Sequence, residues 1–375
     1  MNTPALAAPF ATGSWNGKRV DAILGTETTD PAWDNFLRGD SGGQFQQSSA
    51  WAEYKRSEHW RCLRVTFQQE AGMLGGFQML WRATRRGKVG YISKGPVLPA
   101  GDGALAAWAL EVVRKVIHRH RLAIVFLQPP DQSMELIPAL EKLGFTPNRL
   151  TKIIDATLRV DLSGPPGAWE ANLNETRRSR ARQAIRRGAT IREGDASDLP
   201  RFFQLMKITC ERQGVPPTPA SLETVSELFK AFQTTGESRL GFAICGGEPV
   251  AGVLDLKFGR RYTNWKKGWD GTQGRLNPNV LLAYDCLRRA QTMGCDFFDF
   301  GGIERPLAET LAARQPLTEA QEQHYDAFKL GFGGEPQLLP PGMVYFRNPL
   351  IRFAYRQMAN QPALTKYLRG LTRGI

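Results

Sequence analysis

The stretch Asn279-Val-Leu-Leu-Ala-Tyr-Asp-Cys-Leu-Arg-Arg-Ala-Gln-Thr-Met-Gly-Cys-Asp-Phe-Phe-Asp-Phe-Gly-Gly302 indicates the fold class of this 375-residue chain. Residues 279–293 carry apolar side chains at helical spacing, and Gly294 follows where a glycine commonly ends a helix. The aromatic run 296–300 is typical of a buried strand. A helix that leads directly into a buried strand predicts an α/β fold.

The same order of elements recurs in both halves of the chain. Antiparallel strand patterns, a helix and a further strand occupy 62–96, 105–118 and 122–127 in the first half, and 240–269, 279–293 and 296–300 in the second. The chain is also longer than one hydrophobic core usually sustains. The sequence therefore predicts two domains of one type.

The domain boundaries follow from a linker-like stretch, Ser163-Gly-Pro-Pro-Gly167. We predict domains at 1–162 and 163–345, with a strand at 152–160 in the first. The basic C-terminal segment 346–375 is predicted to be helical and to pack back on the first domain.

The balance of charge favours a polyanionic partner. Lys and Arg outnumber Asp and Glu by 49 to 36, which gives a net charge of +13. Nucleic acid, a nucleotide-linked substrate and peripheral contact with an anionic membrane surface all fit this sign. A basic protein without such a partner is the alternative.

Cysteine and histidine usage predicts reduced thiols and no metal. The five cysteines are dispersed without a C-x-x-C pair, which fits a cytoplasmic protein. The four histidines show no metal-ligand spacing. The apolar N-terminus lacks the basic region of a signal peptide, and no run approaches the length of a membrane span.

Six short motifs stand in order along the chain: Gln46-Gln-Ser-Ser-Ala-Trp-Ala-Glu-Tyr-Lys55, Lys94-Gly-Pro96, Leu205-Met-Lys-Ile-Thr-Cys-Glu-Arg212, Asn277-Pro-Asn-Val-Leu-Leu282, Phe298-Asp-Phe-Gly-Gly302 and Phe328-Lys-Leu-Gly-Phe-Gly-Gly334. Together they resemble the Fem family of peptidyltransferases, enzymes that add amino acids from aminoacyl-tRNA to peptidoglycan precursors. The resemblance implies two tandem acetyltransferase-like (GNAT) domains. No heptad pair for the coiled-coil arm of many Fem proteins is present.

A GNAT enzyme that uses acetyl-CoA needs backbone N–H groups that hold the pyrophosphate at a helix N-terminus. The corresponding stretch here is Arg275-Leu-Asn-Pro-Asn-Val280. Pro278 has no N–H, and Val280 places a branched side chain where close approach needs Gly or Ala. This argues against CoA. The resemblance implies aminoacyl-tRNA as the donor, with no cofactor.

Two basic residues are candidates for the acceptor site. Lys55 follows Trp51 by four residues, so both share one helix face; a lysine stem laid over tryptophan is the alternative. Arg212 continues the apolar stripe of Leu205, so a guanidinium facing the core would need an anionic partner; favourable placement at a helix C-terminus is the alternative. The resemblance implies that Lys55 contacts precursor phosphates and that Arg212 belongs to the acceptor site.

The candidate tRNA surface lies in an arginine-rich segment, residues 174–188, which includes Arg178, Arg182 and Arg186. A phosphate-binding surface and a solvated helix both fit this composition. Tyr262 and Trp265 alternate with charges as a nucleic-acid surface does, although strand packing is the commoner cause.

Asp299 precedes Gly301-Gly302 and is a candidate for orienting an amine, with a structural turn contact as the alternative.

Lys329 is the candidate catalytic residue. If residues 317–328 form a helix, Lys329 is favourable at its C-terminus on dipole grounds alone. The resemblance implies instead that Phe328 and Lys329 meet the 3′ end of aminoacyl-tRNA, with the lysine beside the reacting ester.

Three functions remain open from the sequence. The first is aminoacyl transfer from tRNA to an amine, on a nucleotide- or lipid-linked peptidoglycan precursor or on a metabolite. The second is acyl-CoA-dependent N-acyl transfer in envelope, polysaccharide or natural-product synthesis. The third is a non-catalytic module that binds tRNA or precursor.

Overall fold

The structure, a computed structural model, describes residues 8–39, 42–85 and 87–358. The chain divides into two compact units. The first contains the described residues up to Asp155 and those from Leu339 onward, and the second is Ala156–Leu338. Each unit has its own β-sheet.

The first unit begins with a meander of strands and two short helices. Its elements are β1 (Ala11–Trp15), β2 (Lys18–Gly25), α1 (Pro31–Arg38), α2 (Ser49–Ser57), β3 (Arg61–Gln69), β4 (Gly72–Thr84), β5 (Gly87–Ser93), α3 (Gly103–Arg119), β6 (Leu122–Gln128), α4 (Leu136–Lys142) and β7 (Thr146–Pro147). Neighbouring strands from β1 to β5 are antiparallel, and β6 pairs parallel to β5 after the crossover through α3. The apolar face of α3, which includes Val113 and Val116, packs on Val65 and Phe77 of the sheet.

The second unit repeats this order. Its elements are β8 (Ala156–Asp161), α5 (Glu175–Arg186), β9 (Thr190–Gly194), α6 (Leu199–Arg212), α7 (Leu222–Gln233), β10 (Ser238–Cys245), β11 (Glu248–Phe258), β12 (Arg261–Trp269), α8 (Pro278–Thr292), β13 (Phe297–Gly302), α9 (Arg305–Ala312), α10 (Glu319–Gln323), α11 (Ala327–Leu330) and β14 (Glu335–Leu338). The sheet order is β14-β8-β13-β12-β11-β10-β9, with β13 parallel to β12 after the crossover through α8.

The predicted α/β architecture is confirmed by this repetition. In each unit an antiparallel meander leads through one long helix to a parallel strand, β3-β4-β5-α3-β6 and β10-β11-β12-α8-β13. The longest described helix of the second unit, α8, has 15 residues, so the described part of the chain contains no coiled-coil arm.

Two strands lie in the opposite sheet from the one that the sequence predicted. The strand predicted at 152–160 in the first domain is β8, which pairs with β13 and β14 of the second unit. Conversely, β15 (Met343–Phe346), which the predicted range 163–345 places largely in the second domain, pairs with β6 and β7 of the first. Strand pairing is a long-range property, so a local apolar pattern does not say which sheet a strand joins.

The segment predicted to be a C-terminal helix forms α12 (Pro349–Met358) in its described part. Tyr355 of α12 is 4% exposed and packs with Val344, Phe346 and Leu150 of the first unit. Its hydroxyl donates to Pro147 O at 3.1 Å and accepts from the Arg149 backbone N–H at 2.9 Å. Residues 359–375 of the predicted segment lie outside the described residues.

Candidate active site

The chain around Lys329 does not form the single helix that the sequence predicted. The helices α10 and α11 are separated at His324, whose ψ of 146° is extended. Lys329 therefore lies in one turn of helix, and the dipole of a long helix is not the reason for its position. After α11 the chain turns at Gly333, whose φ is +73° and where a Cβ would lie 2.3 Å from the Asn172 carbonyl oxygen. Only glycine fits there without a shift of the backbone.

Lys329 is a buried charge with a buried partner. Its side chain is 7% exposed, and its Nζ lies 2.9 Å from Oδ1 of Asp326, whose side chain is 1% exposed. Nζ also donates to the carbonyl oxygen of Gly302 at the end of β13. An ammonium has three N–H donors, so one donor is left for a further acceptor.

Asp326 is held in place from two sides. Its Oδ2 accepts the backbone N–H of Glu304 at 3.1 Å. Nδ1 of His324 is 3.5 Å from the same oxygen, and Nε2 of His324 is 3.6 Å from Oε1 of Glu304. Both imidazole distances exceed those of good hydrogen bonds, so His324 contributes a weaker contact.

A second lysine, Lys267 of β12, lies in the same place. Its Nζ is 4.9 Å from the ring centroid of Phe328. The pKa of Lys267 is lowered to about 7, chiefly by burial and then by repulsion from Lys329, while Asp326 raises it. A large fraction of Lys267 is therefore neutral near pH 7 and able to accept a proton. Together, Lys267, Asp326, Phe328 and Lys329 form what we call the two-lysine site.

The sequence prediction missed Lys267. In the stretch 262–269 the aromatic residues are the more conspicuous feature, and the prediction rested on them. Lys267 stands between Lys266 and Gly268, so nothing local in the sequence distinguishes it from Lys266.

Phe328 is half-buried and surrounded by positive charge. The guanidinium of Arg177, on α5, lies 4.8 Å from the Phe328 centroid. The ring of Phe332 is 5.3 Å away, centroid to centroid. Burial lowers the pKa of Arg177, with a smaller contribution from Arg180. An aromatic ring beside the Arg177 guanidinium and the Lys267 side chain suits a planar ligand that carries negative charge.

Asp299 is fully engaged in holding strands together. Its carboxylate accepts from Nε of Arg159 at 3.0 Å, from Oγ1 of Thr157 at 2.5 Å and from the Gly301 N–H at 2.8 Å. The structural alternative therefore describes the contacts of this residue, and a role of Asp299 in orienting an amine stays a prediction.

Tyr262 and Trp265 do not form the predicted surface. Tyr262 is 1% exposed, stacks on Phe298 and donates to Oδ2 of Asp255 at 3.1 Å, so it belongs to the core. Trp265 is half-buried at an irregularity of β12, with Nζ of Lys266 5.3 Å from its ring. Period-2 alternation and the irregularity at Trp265 turn these two aromatic residues away from a shared face.

Arg212 is exposed, which contradicts the prediction of a core-facing guanidinium. It is the last residue of α6, and its side chain reaches over Trp269 with the guanidinium 4.6 Å from the ring. Its Nη2 donates to the Trp269 carbonyl at 2.8 Å. The final turn of α6 has moved past the buried face set by Leu205 and Met206, so periodicity no longer predicts burial.

Lys55 and Trp51 share one face of α2, as predicted. Ser48 caps this helix by accepting the Trp51 N–H at 3.2 Å. Nζ of Lys55 lies 5.4 Å from the Trp51 ring and 4.7 Å from the Tyr54 ring, and it pairs with Glu58 at 2.5 Å. An incoming phosphate would therefore compete with the Glu58 carboxylate for this ammonium.

The arginine-rich segment forms α5, with Arg178, Arg182 and Arg186 at intervals of four residues along one face. Arg182 and Arg186 are exposed. Arg178 is half-buried and donates to the Glu170 carbonyl at 2.5 Å. The opposite face buries two alanines, Ala181 and Ala184.

The loop before α8 does not fit the pyrophosphate of CoA. Pro278 occupies the first turn of the helix and has no N–H. The neighbouring N–H groups of Leu276, Asn277, Val280 and Leu281 already donate to carbonyls of the same loop, at 2.8 to 3.1 Å. Val280 is 4% exposed, so its side chain fills the space beneath the loop.

Within residues 8–39, 42–85 and 87–358, no group of three or more His, Cys, Asp or Glu side chains is arranged to hold a metal ion. The helices among the same residues include none long and apolar enough to cross a membrane.

Known proteins resemble this chain in sequence and in fold. The FemAB family profile matches residues 28–218, and the acetyltransferase (GNAT) domain profile matches residues 175–308. The lipid II:glycine glycyltransferase of Staphylococcus haemolyticus (strain JCSC1435) is 23% identical over 239 residues, which are 60% of this chain and 57% of that protein. The enzyme of the same name from Staphylococcus aureus (strain MRSA252) is 22% identical over 56% of this chain and 53% of its own length. The chain thus matches little more than half the length of these relatives.

Among solved structures, the crystal structure of FemX superposes with a TM-score of 0.74 at 17% identity, over 90% of this chain and 99% of FemX. A tandem GNAT protein from the clavulanic acid biosynthesis pathway gives a TM-score of 0.50 at 12% identity, over 88% of this chain and 99% of its own. The two structural similarities, at 17% and 12% sequence identity, show the fold alone. The family is shown by the FemAB profile, which matches residues 28–218, about half of the sequence. The chain belongs to the FemAB family.

Proposed function

We propose that this protein forms an amide bond by transferring an amino acid from aminoacyl-tRNA to an amine of a peptidoglycan-precursor-like acceptor. The observation that carries the proposal is the two-lysine site, in which a lysine of pKa about 7 lies beside a buried lysine. Relatives named lipid II:glycine glycyltransferase support the same reaction class.

The reaction needs positioning more than covalent catalysis. An aminoacyl ester is already activated, so the acceptor nitrogen attacks its carbonyl carbon directly and the tRNA hydroxyl leaves. The attacking nitrogen must lose a proton, and neutral Lys267 is the group in the two-lysine site able to accept it and to return it to the departing tRNA oxygen. The spare donor of the Lys329 ammonium would stabilise the negative charge on the tetrahedral oxygen.

Phe328 and α5 are assigned to the donor. The half-buried ring of Phe328, flanked by Arg177 and Lys267, suits stacking of the terminal adenosine of tRNA. The exposed Arg182 and Arg186 suit contact with phosphates along the acceptor stem. The roles of Lys55 and of Arg212 in binding phosphates or carboxylates of the acceptor are proposed for each residue singly.

A CoA thioester is the donor of the second candidate function. The GNAT domain match at 175–308 favours it. The occupied N–H groups before α8 and the proline at its first turn disfavour it.

The test is incubation of the full chain with a mixture of charged tRNAs and nucleotide- and lipid-linked peptidoglycan precursors, followed by mass spectrometry of the acceptors. We expect a mass increase of one amino-acid residue that requires charged tRNA and is absent with uncharged tRNA plus free amino acid. A parallel reaction replaces charged tRNA with acyl-CoA thioesters. Product from the thioester alone would establish the second function, and tRNA binding without any product would leave a binding module.

A further inference from the structure

The helix α12 presents apolar side chains to the outside of the first unit. Leu350 and Phe353 are 76% and 63% exposed and, three residues apart, lie on one face of the helix. Ile351, 46% exposed, lies on the side of the helix toward Tyr355, which points inward and is buried. Single exposed apolar residues are ordinary, but two large ones on one face of a short helix form a patch that indicates an interaction surface. We call Leu350 and Phe353 the α12 patch.

A basic cavity of about 530 Å³ lies next to this patch, where α12 meets α3, α4 and the end of β15. Its positively charged and imidazole lining consists of Arg114, His118, Lys142, Arg347, Arg352 and Arg356. Glu141 also lines the cavity, and Arg114 pairs outside it with Glu111 at 2.8 Å. The lining keeps a clear excess of positive charge.

Contacts with Tyr345 fix the positions of two of the lining side chains, Arg352 and His118. The Arg352 guanidinium lies 5.3 Å from the Tyr345 ring, and Nε2 of His118 is 3.1 Å from the Tyr345 hydroxyl. Burial lowers the pKa of His118, and Arg114, Arg347 and Arg352 lower it further, so three guanidinium groups act on one imidazole. Positive charges that converge in this way suit a phosphate.

We propose that α12 and the basic cavity dock on an anionic lipid bilayer, with Leu350 and Phe353 entering the boundary between headgroups and acyl chains and the cavity holding a headgroup phosphate. An apolar stripe beside arginines is the arrangement of helices that lie in the membrane interface. A bilayer rich in anionic lipid complements both features at once.

Two other occupants of the surface fit its charge less well. A second copy of the chain would bring the same arginines against each other. Residues 359–375 of this chain contain Lys366, Arg369 and Arg373 and no acidic residue, so they too carry the sign of the cavity. The inference does not rest on the proposed function, and its test contains neither tRNA nor acceptor.

The experiment is flotation of the full chain with vesicles of phosphatidylcholine alone or of phosphatidylcholine mixed with phosphatidylglycerol. We expect flotation with the mixed vesicles only, and less of it at high salt. Arg352→Gln/Arg356→Gln removes two charges near the surface and should weaken partitioning on the order of tenfold or more. Leu350→Ser/Phe353→Ser should do the same by removing the inserted side chains.

Each double variant has a matched control. Lys18→Gln/Lys230→Gln removes the same charge at exposed positions elsewhere, and Ile154→Ser removes an apolar side chain that is 57% exposed in the first unit. Both controls should float as the parent does, and thermal melting should show that all variants fold. Parent protein that floats with neither vesicle, or a charge control that loses as much as the cavity variant, would overturn the proposal. So would a Leu350→Ser/Phe353→Ser variant that floats normally but changes from dimer to monomer in light scattering, since a second copy would then be the occupant.

Discussion

The ammonium of Lys329 lies 2.9 Å from Oδ1 of Asp326, and both side chains are buried. The lysine proposed for catalysis is thus also half of a buried ion pair. Removing one member of such a pair leaves the other as an uncompensated buried charge, whereas replacing both is far less costly. The effect of Lys329 on stability can therefore be distinguished from its effect on catalysis only in a variant that replaces both Lys329 and Asp326.

Lys329→Met should destabilise the fold by about 3–5 kcal/mol, because Asp326 loses the buried ammonium that lies 2.9 Å from its Oδ1. Lys329→Met/Asp326→Asn should recover most of that free energy of unfolding, as measured by urea denaturation. Its kcat should nevertheless stay roughly 10²–10³ below the parent, because the charge that stabilises the oxyanion is absent. A double variant that recovers both stability and kcat would show that Lys329 is only structural.

The rate of transfer should depend on the protonation of Lys267. With its pKa near 7, the neutral base becomes available as pH rises, so kcat/KM should climb through that pH and then level off. Lys267→Met should remove this limb of the pH profile and lower kcat roughly 10²–10⁴-fold. Lys329→Met/Asp326→Asn should move the limb slightly to higher pH, because the repulsion from Lys329 that lowers the pKa of Lys267 outweighs the attraction of Asp326 that raises it. A limb that persists unchanged in Lys267→Met would belong to the acceptor amine instead.

Lys267 also predicts a pH dependence of stability. Its ordinary pKa is 10.5, so between about pH 7 and that value the unfolded chain binds a proton that the folded chain has released. The contribution of this group to stability therefore rises with pH across that window. The slope of unfolding free energy against pH should be smaller in Lys267→Met. Equal slopes in the two proteins would mean that Lys267 is charged in the fold.

The sequence predicted the local elements better than the way they assemble. Residues 279–302 form the helix and strand that their spacing indicates, α8 and β13. The sheet to which β8 and β15 belong was not predictable, because their partners lie far along the chain. Arg212 was placed wrongly because a helical pattern does not show where the supporting sheet ends.

The candidate site shows the same division. Phe328 and Lys329 were proposed from a motif, but Lys267 looks like its neighbour Lys266 in the sequence. Alternation along β12 sends Lys266 toward Cys210 and Lys267 toward Phe328 and Lys329. The depressed pKa of Lys267 arises from residues distant in sequence, so only the fold reveals it.

Binding of tRNA should weaken steeply with salt, because the interactions of arginines with phosphates release counterions. Arg178→Gln/Arg182→Gln/Arg186→Gln should flatten the plot of log affinity against log salt by roughly 0.7–0.9 for each phosphate that is no longer neutralised. Arg182→Gln/Arg186→Gln should account for most of the change, since Arg178 is half-buried and bonded to the Glu170 carbonyl. Lys18→Gln/Lys230→Gln is the charge-matched control for Arg182→Gln/Arg186→Gln. An unchanged slope in the triple variant would remove α5 from the tRNA surface.

Arg212→Ala and Lys55→Ala should each raise the KM for the acceptor while leaving the affinity for tRNA unchanged. Arg212 is exposed and stacked on Trp269, so the loss is expected to be on the order of tenfold, near the lower end for a charge-assisted hydrogen bond. Lys55 already pairs with Glu58, so Glu58→Gln should free the ammonium and lower the acceptor KM. Arg212→Lys keeps the charge but loses the planar stacking, and it should fall between the parent and Arg212→Ala. KM values from initial rates at saturating charged tRNA provide the measurement. If the acceptor KM is the same in the parent, Arg212→Ala and Lys55→Ala, neither residue binds the acceptor and the assignment fails.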